Sequence, residues 1–136
     1  MAVAHDGEAN LQANIDNVTS VTLSGKTTAG ANRCAVVGVG GANTELPSGV
    51  TYGGSAMTSV VSLDDNGAPN SSASLWRFLA PATTGTDVVV SFASGAYGGC
   101  GCLSANGVDQ TTPVSNTNTA SGTPTAPTIN VTSAVG

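Results

Sequence analysis

From Ser74 to Phe92 the chain reads Ser-Leu-Trp-Arg-Phe-Leu-Ala-Pro-Ala-Thr-Thr-Gly-Thr-Asp-Val-Val-Val-Ser-Phe, and this stretch holds its only tryptophan and both phenylalanines. Leu75, Arg77 and Leu79 alternate with Trp76, Phe78 and Ala80. After a loop rich in Pro, Thr and Gly over 81–85, Thr86, Val88, Val90 and Phe92 alternate with Asp87, Val89 and Ser91. A period of two places successive side chains on opposite faces of a strand. The pattern predicts a β-hairpin whose bulky residues seed a sandwich core.

The same alternation recurs along the chain. Val18–Leu23 predicts a first strand, and Met57–Leu63 a later one. Arg33–Val39 is almost unbroken in apolar residues and bounded by glycine, which predicts a central strand buried on both sides. Val50–Gly54 reads as a short strand or turn, Ser94–Gly99 as a turn, and Cys100–Ala105 as a strand of small side chains that another backbone approaches closely. Ile129–Val135 predicts a last strand. Residues 64–72 and 106–127 are polar connections. Residues 1–17 are expected to form an extended N-terminal arm, and residues 18–136 a single domain. Together these give roughly seven or eight short strands and no helix. The expected fold is all-β, an antiparallel β-sandwich of jelly-roll or immunoglobulin-like type.

Charge excludes several functions. Charged residues are 8% of the chain, against about 25% in an ordinary domain. Three basic residues (Lys26, Arg33 and Arg77) and a net charge of −5 argue against nucleic acid and against an anionic membrane surface. No apolar run approaches the ~20 residues of a spanning helix. The N-terminus lacks the basic and apolar regions of a secretory signal, which fits a particle assembled in a cytoplasm.

Catalytic and metal chemistry find little to work with. With one histidine, His5, no four-ligand metal spacing exists, and no phosphate-loop pattern is present. Nothing in the spacing of Glu45, Asp64, Asp65, Asp87 and Asp109 selects a catalytic carboxylate pair. The expectation is a non-enzymatic protein without cofactor or metal. Asp64-Asp65-Asn66-Gly67 reads as a turn rather than a calcium loop, because Ala68 and the missing closing glutamate break the pattern. Asn17, Asn70 and Asn130 begin glycosylation sequons, taken as accidents of a Thr-, Ser- and Asn-rich chain. Cys34, Cys100 and Cys102 read as small buried residues. A disulfide from Cys34 to either of the other two is the alternative, since Cys100 and Cys102 could bond each other only under strain. Arg77, opposite Trp76 and Phe78, is expected on an outer sheet face. It, Asp109, Tyr52 and Tyr97 are the candidate interaction residues.

Several segments together resemble a β-sandwich module of phage structural proteins and large bacterial surface proteins. They are Val36-Val37-Gly38-Val39, Val50-Thr51-Tyr52-Gly53-Gly54 leading to Met57-Thr58, Leu75-Trp76 with Leu79-Ala80-Pro81-Ala82-Thr83, Val88-Val89-Val90, and Gly107-Val108-Asp109-Gln110-Thr111-Thr112-Pro113. The resemblance covers most of residues 18–131. That module continues with a further apolar strand, so the sheet here is expected to be finished by more chain or by another subunit. The resemblance implies a structural or adhesive role, with Asp109 and the neighbouring threonines bonding backbone in a turn. Combined with the missing signal and the small size, it implies a decoration (cement) protein on a phage capsid surface, a homotrimer bound to the major capsid protein. The alternative is a carbohydrate-binding or adhesive module of a tail fibre or bacterial surface protein, using exposed aromatics.

Overall fold

A computed structural model describes residues 2–42, 45–65 and 71–119. The expected last strand at 129–135 and the Asn66-Gly67 turn lie outside them. The described residues form eight strands and no helix: β1 (Ala4–His5), β2 (Leu11–Lys26), β3 (Cys34–Gly41), β4 (Pro47–Tyr52), β5 (Ser55–Ala56), β6 (Thr58–Asp65), β7 (Ser71–Leu79) and β8 (Thr86–Asn106). All pairings are antiparallel. They make one sheet, nearly closed into a barrel.

β8 is the spine of this sheet. Its first half lies between β2 and β4, and its second half between β3 on one side and β2 and β1 on the other. The main order is β5-β4-β8-β3-β7-β6. The bend that lets one strand serve two branches falls where β2 and β8 lose register, between Asp16 and Ser20 of β2. Asn17 there has φ 50° and Gly98 φ 143°, values that relieve the ladder locally and raise its twist. The turn expected at 94–99 is therefore a bend within a continuous strand.

The hairpin expected over 74–92 does not form, because β3 lies between β7 and β8. Ala80, at φ 50°, donates its N–H to the Arg33 carbonyl at 2.9 Å, ending the β3–β7 ladder. Pro81 follows and is buried, its carbonyl accepting from Arg33 Nε at 2.9 Å. The chain then crosses to the β4 branch. Placing the apolar β3 centrally buries Ala35 and Val37 completely, which a β7–β8 pairing could not do.

The N-terminal boundary at residue 17 falls inside β2. Residues 11–16 pair with Cys102 to Tyr97 of β8, and Ala4–His5 pair with Asn106 and Ala105. Leu11, Ala13 and Ile15 point inward, Ile15 only 3% exposed, so this segment adds to the core.

The core runs through the barrel as Leu23, Ala35, Val37, Val39, Val50, Met57, Val88, Val90, Phe92, Cys100 and Cys102. Tyr52 of β4 stacks on Phe78 of β7, centroids 5.1 Å apart and planes 13° from parallel. This contact brings the two branches of the sheet face to face. Glycines of β3 and β8 sit opposite one another, with Gly38 against Gly101 and Gly40 against Gly99, as the small-residue strand predicted.

Candidate interaction surface

The strand registers sort side chains into two faces. Val37, Val39 and Ala35 of β3 lie in rows with Trp76, Ser74 and Phe78 of β7 and with Cys102, Cys100 and Ser104 of β8. These face the core. The alternate positions face out: Cys34, Val36 and Gly38 beside Leu79, Arg77 and Leu75, and beside Ala105, Leu103 and Gly101. Val61 and Leu63 of β6 extend these outer rows past Leu75 and Ala73.

The outer face is apolar. Leu75 and Leu103 are each 44% exposed, and Val36, Val61 and Leu63 are half-buried. Residues 113–119 pass over part of it, beside Gly38, Val61, Leu75 and Arg77. A groove of about 440 Å³ lies between that segment and the sheet, lined by Val3, Cys34, Val36, Leu75, Arg77 and Val114 among others. Leu75, Leu103 and Val61 escaped the sequence reading as surface residues. The signal was present, since Leu75 and Leu79 occupy the positions opposite Trp76 and Phe78.

Arg77 lies on this outer face, as its alternation required, and is half-buried. The other two basic groups are occupied. Lys26 Nζ donates to the Ala9 carbonyl at 2.7 Å. Arg33 donates to the carbonyls of Pro81 and Gly30 at 2.9 and 2.7 Å. Among the described residues the Arg77 guanidinium has no hydrogen-bond or ion-pair partner.

The remaining candidates separate. Tyr52 is 3% exposed, and its hydroxyl donates toward the Ala82 and Lys26 carbonyls at 3.2 and 3.4 Å. It is a core residue and unavailable to a partner, because stacking on Phe78 turns it inward. Tyr97 is 44% exposed, on the outside of the β8 bend. Asp109 Oδ1 accepts from the Thr111 and Thr112 N–H groups at 2.7 and 3.0 Å. Those two bonds hold its carboxyl below the usual range. Gln110 Nε2 donates to the Val108 and Arg33 carbonyls, so the Asp-Gln-Thr-Thr segment fastens the chain to the start of β3.

Three other carboxylates are also tied to backbone. Asp87 accepts from Gly25 N–H, and Glu45 from Ser94 N–H, each at 3.0 Å. Asp6 accepts from Glu8 and Ala29 N–H, both at 3.1 Å. These three acids act as staples between distant parts of the sheet. Burial works against ionising Asp6. The Ala29 and Glu8 N–H groups and the Lys26 ammonium oppose it, and the carboxyl lies below its ordinary value. A depressed folded pKa stabilises above the unfolded carboxylate pKa of about 4, and that stability is lost as pH falls through the folded value. Asp6→Asn is therefore expected to flatten the acid limb of the urea-midpoint profile below pH ~4. An unchanged acid limb contradicts this role.

The three cysteines are free thiols and buried. Cys34 is three residues from Val37, the register partner of Cys102, and so lies on the opposite face. No disulfide joins Cys34 to Cys100 or Cys102 without turning a strand over. Burial raises all three thiol pKa values, Cys102 to about 11. Tyr52 is raised by burial too. Groups with raised folded pKa values stabilise below their unfolded pKa and lose that contribution as pH rises. Stability is expected to fall from pH ~9 to ~11 as these groups ionise, and reductant is expected to leave the melting temperature unchanged at pH 7. A flat alkaline profile, or a reductant-sensitive transition, contradicts this.

The fold and face define a class: an all-β, antiparallel, barrel-like domain whose outer sheet face carries apolar residues around a single cation. Comparison with family models, curated proteins and solved structures finds no match.

Proposed function

We propose that this chain is a non-enzymatic structural protein that binds the outside of a phage capsid and stabilises it through protein–protein contacts. The observation that carries the reading is the exposed apolar pair Leu75 and Leu103 on an otherwise polar, sparsely charged surface. Aliphatic area exposed on one rigid sheet face is the kind of surface that protein partners cover. In this reading the domain is a β-sandwich of the module class that its segments resemble. It assembles as a trimer, and its partner is the major capsid protein. Sugar binding is less well supported. Trp76 donates Nε1–H to Ser74 Oγ at 3.0 Å on the core face and Tyr52 is buried, so stacking rings are scarce.

Quantitative mass spectrometry of gradient-purified particles from the source culture tests this. Hundreds of copies per particle are expected. A handful indicates a tail or fibre component, and presence on cells but absence from particles overturns the virion reading. Particles lacking the protein are expected to rupture at lower temperature or milder osmotic shock.

A further inference from the structure

We infer that residues 4–9 form a strap that opens as a unit, ahead of the rest of the domain, and uncovers Lys26, the only lysine in the chain. This goes beyond the capsid reading and does not depend on it.

The strap is fastened by polar bonds rather than by packing. It runs opposite in direction to the chain that leaves β2, and its fastenings step in order. The Ala9 carbonyl accepts from Lys26 Nζ at 2.7 Å, Glu8 accepts from the Thr27 hydroxyl, and Asp6 accepts from the Ala29 N–H at 3.1 Å. On the other side Asp6 N–H donates to the Ser104 carbonyl at 3.4 Å, and β1 pairs with β8 through Ala4 and His5 alone. Among residues 2–10 only Asp6 and Glu8 are even half-buried, and Val3 is 65% exposed. Leu11, Ala13 and Ile15, just beyond, pack into the core. Burial of apolar surface ties a segment to the cooperative core, whereas a segment held by a few exposed polar bonds opens at lower cost. The boundary between the two falls at Asn10.

What the strap covers favours its release. Lys26 is 0% exposed, and its ammonium meets one carbonyl for its three donors. The Ser104 hydroxyl lies beside Asp6, is also 0% exposed, and has no partner among the described residues. Water reaching these groups on opening offsets part of the bonds lost. Closure depends on charge. Asp6 is faced by Lys26 of β2, by Cys102 and Ser104 of β8 and by Tyr52 of β4. Glu8 and His5 are the other titratable groups of the strap, the imidazole turned to Gly7 and Asn10. Of the groups that face Asp6, Lys26 alone is a cation. The Asp6 carboxyl lies below its ordinary value, so ionised Asp6 supports closure above the unfolded value of ~4, and that support is lost as pH falls through the folded one.

A single lysine makes the opening directly readable. The full chain is acylated with an N-hydroxysuccinimide ester near neutral pH, and Lys26 modification is followed by peptide mass, apart from the N-terminal amine. Hydrogen exchange of the Val37 and Val90 amides in the same buffer reports opening of the core. Relative to the unfolded chain, Lys26 is expected to react at least about tenfold faster than those amides exchange. Asp6→Asn is expected to speed the reaction about tenfold further. Glu45→Gln removes a staple at Ser94 instead and is expected to leave it unchanged. Lys26 reacting only at the pace of core exchange, or responding to Glu45→Gln as much as to Asp6→Asn, overturns the inference. Exchange in the unmodified chain supplies a second measurement. The Ala29 amide is expected to lose protection as pH falls below ~4 while Val37 and Val90 keep theirs. Loss of all three together makes the strap part of one cooperative unit and overturns it as well.

Discussion

Gly98→Ala is expected to destabilise the domain by about 4 kcal/mol, joining backbone strain of ~1–3 kcal/mol to overpacking of ~1–3 kcal/mol. Gly98 has φ 143°, a conformation side chains rarely adopt. A Cβ there would fall on the Gly40 carbonyl oxygen, 3.0 Å from the Gly40 carbonyl carbon and 2.9 Å from Gly41 Cα. The obstacle is backbone, so no rotamer change relieves it. The residue stands at the β8 bend, where Ala42 N–H donates to the Tyr97 carbonyl at 2.8 Å and closes the end of β3. Gly40→Ala is the control, since its Cβ would meet nothing within 4 Å. It is expected to cost less than about 1 kcal/mol. Urea denaturation of the two variants checks the pair, and equal midpoints refute the argument.

Lys26→Glu is expected to prevent folding, or to cost more than about 4 kcal/mol. Lys26 is 0% exposed. It lies at the end of β2, under residues 6–9, with Asp6 acting on it from one side and Ala9 accepting from Nζ at 2.7 Å. Glu8 nearby accepts from the Thr27 hydroxyl. Reversing the buried charge puts a carboxylate beside Asp6 and Glu8 and leaves the Ala9 carbonyl without its donor. Lys26→Met keeps the length of the side chain and removes the donor and the charge, and is expected to cost about 1–3 kcal/mol. The ordering Glu well below Met, read as melting temperatures, is the check. Similar melting temperatures for both variants mean that Lys26 contributes packing alone.

The candidate surface was half legible. Alternation placed Arg77 opposite Trp76 and Phe78, and the register bears this out. The same alternation placed Leu75 on the outer face with it, yet a leucine in a strand does not announce which face meets solvent. Tyr52 shows the converse. It was expected among the interaction residues, but only the approach of β7 from another branch of the sheet decided that it would stack on Phe78. Lys26 and Asp6, twenty residues apart in sequence on either side of a polar segment, carry no local signal of burial. They meet because β8 pairs with both β1 and β2.

By itself the sequence determined an all-β chain, because period-two alternation, β-branched residues and the lack of helix-forming segments are local properties that each strand carries alone. It also determined the sparsely charged surface and the scarcity of basic groups. Tertiary structure decided which strand lies beside which: β3 between β7 and β8, and the N-terminal segment along β8. Alternation specifies the two faces of a strand, whereas its neighbours are set by how the whole sheet buries those faces, and here by one long bent strand able to pair on both edges along its length.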